Sequence, residues 1–252
     1  MRRVLLISAL AAICLPSAAG ADPVKDGYHL YGRYCISCHA AGGKGSAGRP
    51  VGAGPLRVPK GNTGIAPSLI GVGALAADFY LRTGYMPLPH LGMQPRRRHV
   101  FLSEDEIKAL TAYVASLGPG PAIPKPQPER GSLSQGYHLF TERCAGCHQV
   151  VAEGGYVTGA LPPPLEDATP TQVAEAVRIG PYVMPTFSKK DISDRELDSI
   201  VRYVEYAKHP DDRGGWAIGH IGPVPEGLVT WFLAATALVG VCLVLGKRLG
   251  RG

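Results

Sequence analysis

A chain of 252 residues has room for two domains of about 100 residues each plus short extensions. Its 33 Gly and 23 Pro point to loop-rich domains and away from long sheets, and its six cysteines leave none for a disulfide framework, since four are paired in motifs and two lie in apolar terminal segments. The formal net charge of +6 is uneven: residues 22–126 hold 12 Lys/Arg and 6 Asp/Glu, whereas residues 127–210 hold 8 and 11. Such asymmetry fits either a field that orients the protein between partners or an ordinary solvated surface; no nucleic-acid partner is expected.

Residues 1–21, MRRVLLISALAAICLPSAAGA, have a basic start, an apolar run and small residues at the end. Ala19-Gly20-Ala21 is an A-x-A exit, which predicts a cleaved export signal, with a retained signal anchor as the alternative. The next stretch, DGYHLYGRY, reads as a helix that leads into CISCHA at 35–40. The same order returns in QGYHLFTERCAGCHQ, which aligns with DGYHLYGRYCISCHA without a gap. Gly27 matches Gly136, and Tyr31 matches Phe140.

Two copies of C-x-x-C-H narrow the chemistry. A structural zinc site wants its two cysteine pairs roughly 15–20 residues apart and gives no reason for the histidine to repeat. A thioredoxin-like pair wants a βαβ setting. Covalent haem attachment explains every fixed position: two thiols form thioethers and the adjacent His is the proximal iron ligand. The attaching residues are then Cys35 and Cys38, and Cys144 and Cys147, with His39 and His148 on the two irons.

The second axial ligands are expected downstream. TGYMPLP and IGPYVMPTF each place a methionine before proline, and a thioether is a soft ligand suited to haem iron. Proline constrains the neighbouring backbone, which helps hold a ligand on a loop. Met86 and Met184 are therefore the expected ligands, with Met93 and His90 as competitors for the first haem. The basic run at 96–98 is expected to be a solvated loop, or else to pair with haem propionates or an acidic partner.

Two further helices follow the methionines. LSEDEIKALTAYVASLG and ISDRELDSIVRYVEYAK carry Ser103 with Glu106 and Ser193 with Glu196 at capping-box spacing. Ile107, Leu110, Val114 and Leu117 make one helical face, as do Leu197, Ile200, Val201 and Val204. Each half thus reads helix, haem motif, loop, helix. GPGPAIPKPQPER at 118–130 separates the halves as a semi-rigid spacer. Residues 227–246 are uncharged and span about 30 Å as a helix, one hydrocarbon thickness. Lys247, Arg248 and Arg251 follow, which places the C-terminus in the cytoplasm by the positive-inside rule.

The duplicated plan resembles class I cytochromes c. That family packs a Gly and an aromatic of the first helix against an aromatic of the last, and Gly27, Tyr31 and Tyr113 fit in one half, Gly136, Phe140 and Tyr203 in the other. The resemblance implies a mainly α chain with two haem domains in tandem and a C-terminal transmembrane helix. APSLIGVGALAADFYLRTGYMP, IGPYVMPTF and the anchor with its IGPVPEGL lead-in together resemble the dihaem cytochrome c subunit of the actinobacterial-type cytochrome bc1 complex. The sequence itself divides into a signal segment or retained signal anchor at 1–21, cytochrome c domains at 22–117 and 131–210, a linker at 118–130, a juxtamembrane segment at 211–226, the anchor at 227–246 and a cytoplasmic tail at 247–252; the resemblance departs only at the N-terminus, where members of the family often keep a membrane helix and residues 1–21 look cleavable. The resemblance further implies two covalently bound haem c groups per chain and a place among the subunits of quinol–cytochrome c reductase. The implied partners are the cytochrome b subunit, the Rieske iron–sulfur subunit and a cytochrome c oxidase. Electrons would enter at the first haem and leave from the second, both on the extracytoplasmic side.

Overall fold

The computed structural model describes residues 22–46, 66–88, 94–210 and 223–250. The expected signal segment with Cys14, the competing ligands Met93 and His90, the segment 211–222 and Arg251 lie outside the described residues. Among the described residues, the regular structure is helical.

Helix α1 (Pro23–Tyr34) starts where Asp22 accepts a hydrogen bond from the Val24 amide at 3.0 Å, with proline at its first position. It leads directly into the single turn α2 (Ile36–His39), which with its N-cap Cys35 forms the first C-x-x-C-H motif. Helix α3 (Gly73–Arg82) follows, then α4 (Glu104–Ser116), opened by the expected Ser103/Glu106 capping box. The second half repeats the plan with α5 (Leu133–Arg143), α6 (Ala145–His148), α7 (Pro170–Ile179) and α8 (Asp194–Lys208), the last opened by the Ser193/Glu196 box.

In each half the first and last helices cross at a glycine. A Cβ on Gly27 would collide with the carbonyl oxygen of Ala109, and one on Gly136 with that of Ser199, so only glycine admits these backbones so close. The aromatic partners fill the crossing: Tyr31 and Tyr113 lie 5.0 Å apart between ring centroids, Phe140 and Tyr203 5.2 Å. Tyr31, Leu110 and Val114 are buried in the first core, and Phe140, Ile200, Val201 and Val204 in the second, as the helical periodicity requires.

Two elements depart from the expected plan. Where a loop was expected between haem motif and last helix, each half has a further helix, α3 or α7. Helix α7 has a Thr169/Gln172 capping box, Pro170 at its first position and Gly180 at φ 63° as its left-handed stop. These two helices also join the halves, since α3 packs on α7. The segment 118–130 is docked near both of its ends and does not stand free as a spacer. The Leu75 amide donates to the Pro121 carbonyl at 3.1 Å and the Gln127 amide to Asp198 at 2.7 Å.

The last helix, α9 (Pro223–Leu249), extends beyond the expected 227–246 at both ends. Its most apolar stretch has a mean hydropathy of 2.4 and none of it is buried against the rest of the chain. Leu228, Trp231, Phe232 and Leu243 all stand exposed. A 27-residue helix is about 40 Å long, enough to cross a bilayer.

Candidate haem sites

The two motifs fold alike. In each, the second cysteine and the histidine close a helical turn on the first cysteine: the His39 amide donates to Cys35 O and the His148 amide to Cys144 O, both at 2.9 Å. The next residue turns the chain out of the helix at positive φ, 59° at Ala40 and 60° at Gln149. Neither is glycine, so this backbone costs about 1–3 kcal/mol at each position and is held by its surroundings. Those surroundings are again paired. The Gly45 amide donates to His39 O at 2.8 Å, and the Gly154 amide to His148 O at 3.0 Å.

The reward of that turn is the orientation of the imidazole. His39 Nδ1 lies 2.9 Å from the Pro67 carbonyl oxygen and His148 Nδ1 lies 3.1 Å from that of Pro163. A carbonyl only accepts, so Nδ1 carries the proton and Nε2 keeps its lone pair for a metal. Burial also pushes the His148 pKa down, which keeps the ring neutral. The two prolines were not singled out from the sequence, although Pro67-Ser68-Leu69 and Pro163-Pro164-Leu165 share a P-x-L pattern that could have found them.

In the second half the expected residues converge. Cys144, Cys147, His148 and Met184 line one crevice, whose remaining wall includes Phe140, Val173, Val177 and Leu165. Thioether-forming thiols, an imidazole nitrogen and a thioether, set in an apolar slot, suit a large flat apolar group with a central metal. Burial pushes the Cys144 thiol up to about 11, and likewise Cys35. Reactive redox pairs have thiols shifted the opposite way.

In the first half, His39 is set as described and Cys35 packs on the core of Tyr31, Leu110 and Val114. Met86 is half-buried beyond α3, its amide donating to Tyr80 O at 3.1 Å. The tyrosine hydroxyls steady both motifs from different helices. Tyr31 on α1 donates to Ala40 O at 2.6 Å, and Tyr203 on α8 donates to Val150 O at 2.7 Å, because the α5 partner Phe140 has no hydroxyl.

The second crevice is not closed by its own half alone. Phe79, Thr83, Tyr85, Gln94 and Arg97 of the first half form part of its wall. Gln94 clamps the boundary, donating to Leu161 O at 2.8 Å and accepting from the Leu161 amide at 2.9 Å. Arg97 donates to Gln172 Oε1 at 2.7 Å. Part of the basic run is thus a joint between the halves and not a free loop.

Comparison with known proteins fits this arrangement. The family model for cytochrome c matches residues 24–118, and the model for cytochrome c oxidase, cbb3-type, subunit III matches residues 131–204. The cytochrome bc1 complex cytochrome c subunit of Mycobacterium tuberculosis is 33% identical, over 95% of this chain and 85% of the relative. Its counterpart in Corynebacterium diphtheriae is 31% identical over 89% and 81%. A cbb3-type cytochrome c oxidase subunit CcoP of Azospirillum is 30% identical over 71% of this chain and 60% of the relative. Two cytochrome c-type halves, matched helix for helix and followed by an apolar helix that shares their chain, therefore assign the protein to the family of cytochrome c subunits of the cytochrome bc1 complex.

Proposed function

We propose that the chain carries electrons within a quinol-oxidising cytochrome bc1 complex, from the Rieske iron–sulfur subunit towards a terminal oxidase, through two covalently held haem c groups. The observation that supports this best is the second crevice, where the residues suited to haem attachment are walled in by the first half as well. A cofactor site walled by both halves favours electron passage inside the molecule over release to a diffusing carrier.

Bound haem iron supplies the one-electron chemistry. Cys35, Cys38, Cys144 and Cys147 would form the thioethers, and His39 and His148 would ligate through Nε2. Their Nδ1–H bonds to Pro67 and Pro163 fix each ring and raise its basicity. Met86 and Met184 would supply the thioether ligands, and a Met/His pair raises the reduction potential. The apolar wall of the second crevice would keep water from the bound group and so favour its less charged, reduced state. A histidine and a methionine available to hold each group would favour electron transfer over a peroxidase reaction. Electrons would enter through the first half and leave through the second.

Helix α9 would anchor the chain beside the cytochrome b subunit, with both haem domains on the extracytoplasmic side. The names of the relatives support that company, and the likeness to a cbb3-type oxidase subunit supports an oxidase as the acceptor. Mild solubilisation of membranes followed by affinity purification on this chain is the test. Cytochrome b and Rieske subunits should co-purify, and quinol should reduce haem stained on this chain. Recovery of the chain alone, with haem that quinol does not reduce, would mean a tethered carrier for another enzyme.

A further inference from the structure

Helices α3 and α7 meet across the boundary between the two halves, and each brings an acid to the contact. Asp78 is 4% exposed and Glu175 is fully buried. Asp78 has a basic partner, since Arg82 Nε lies 2.9 Å from each of its oxygens. The same guanidinium reaches Glu104 of α4 at 2.5 and 2.8 Å, so one arginine serves two carboxylates. Glu175 has no such partner: both of its side-chain oxygens are buried without a hydrogen bond.

Across the α3–α7 contact the acid that acts on Glu175 is the likewise buried Asp78. As two carboxylates they only accept, and the contact satisfies neither. One proton changes that, because a neutral Glu175 donates to Asp78 and the pair becomes a single hydrogen-bonded unit. Burial, followed by the charge of Asp78, pushes Glu175 up to about 8. The other charges around α7 are committed elsewhere. Arg97 donates to Gln172, Arg178 to the Ile192 carbonyl and Asp194, and Lys208 of α8 to the Ala168 carbonyl and Glu205. Arg82 alone opposes the proton.

The helices that carry the pair also wall the second crevice. Phe79 follows Asp78 and Ala176 follows Glu175, and both line that crevice. On the other side a groove lined by Asp78, Arg82, Glu104 and Thr171 opens towards solvent and gives a proton a route.

We propose that Glu175 and Asp78 form a proton-binding site whose occupancy is linked to reduction of the haem in the second half. The inference rests on the haem reading above. When a one-electron donor reduces that haem, the added negative charge favours the protonated pair, and one proton enters from solvent by the groove. Oxidation by the acceptor returns the proton the same way. Electron and proton then move together without a bond forming or breaking in the haem.

The test is a spectroelectrochemical titration of the full-length protein in detergent between pH 6 and pH 10, with reduced-minus-oxidised infrared difference spectra. In the wild type, the electron affinity of the second haem should fall up to tenfold per pH unit near pH 8, about 59 mV per unit for one electron. A carboxylic acid band should appear in the difference spectrum and shift in heavy water. Glu175→Gln, which keeps a donor to Asp78, should abolish both the slope and the band and leave haem content unchanged. A slope that survives in Glu175→Gln overturns the proposal, as does a wild type with covalent haem but neither slope nor band. If Glu175→Gln fails to fold, the wild-type infrared band decides alone. Absence of haem from the chain would instead remove the underlying reading, so the two failures are distinct.

Discussion

Met184 and His148 meet in the same crevice, and the pair makes a direct prediction about potential. Met184→His replaces a thioether with a stronger donor to oxidised iron. The second haem should become harder to reduce while the first stays nearly unchanged, which a redox titration followed in the visible band resolves. The sulfur-to-iron charge-transfer band in the near-infrared should be lost from one haem of the two. For the first haem, Met86→Leu should remove the band and Met93→Leu should leave it. The opposite result would move the ligand to Met93. Cysteine replacement separates the halves in the same way, since Cys144→Ala should weaken haem attachment in the second motif and spare the first.

The helix crossings set the predictions at the level of elements. Gly27→Ala and Gly136→Ala force a methyl group against a backbone carbonyl that cannot move aside, and each should destabilise by about 1–3 kcal/mol in chemical denaturation. Gly32 is the internal control. It lies on the same α1 helix with open space around it, so Gly32→Ala should stabilise by about 0.5–1 kcal/mol. Equal gains at Gly27 and Gly32 would mean that backbone freedom, and not close approach, governs both. The caps are worth less: Ser193→Ala removes a bond to the Glu196 amide and should cost about 1 kcal/mol.

For the whole molecule, the joint between the halves carries a pH dependence of known sign. Glu175 is held above its ordinary value, so the folded state binds its proton more tightly than the unfolded chain does. Its contribution is fully present below the usual carboxylate range of about 4.5 and is lost as pH rises through about 8. Glu104 behaves in the opposite sense: Arg82 lowers it to about 2, so its contribution is present above about 4.5 and lost as pH falls towards 2. Half-exposed, Glu104 should matter less. Thermal unfolding of Glu175→Gln should therefore lose less stability than wild type between pH 6 and 9. At the same scale, deletion of residues 226–252 should release a soluble protein with unchanged haem spectra and uncouple quinol oxidation from the oxidase in membranes. Normal turnover by the truncated chain would show that α9 is not the assembly element.

The haem motifs, the glycine–aromatic crossings and the capped last helices were legible in the sequence because each depends on residues a few positions apart or on a pattern that occurs twice. The apolar run of α9 was legible because span length and charge are written in order. The helices α3 and α7 were passed over as loops, although Thr169, Pro170 and Gly180 mark the limits of α7. Their burial depends on each other across the two halves, which no single stretch records. For the same reason the proline-rich segment 118–130 read as a spacer, and only Pro121 and Asp198 show that it is docked. Nothing local announces that Gln94 and Arg97 complete a crevice belonging to the other motif, or that Asp78 meets Glu175. An acid in an amphipathic helix looks solvated until the opposing surface is known. The sequence alone determined the two C-x-x-C-H motifs and the helices that lead into them. The tertiary structure decided what surrounds them, because burial, shared cations and close approach arise only when distant segments pack together.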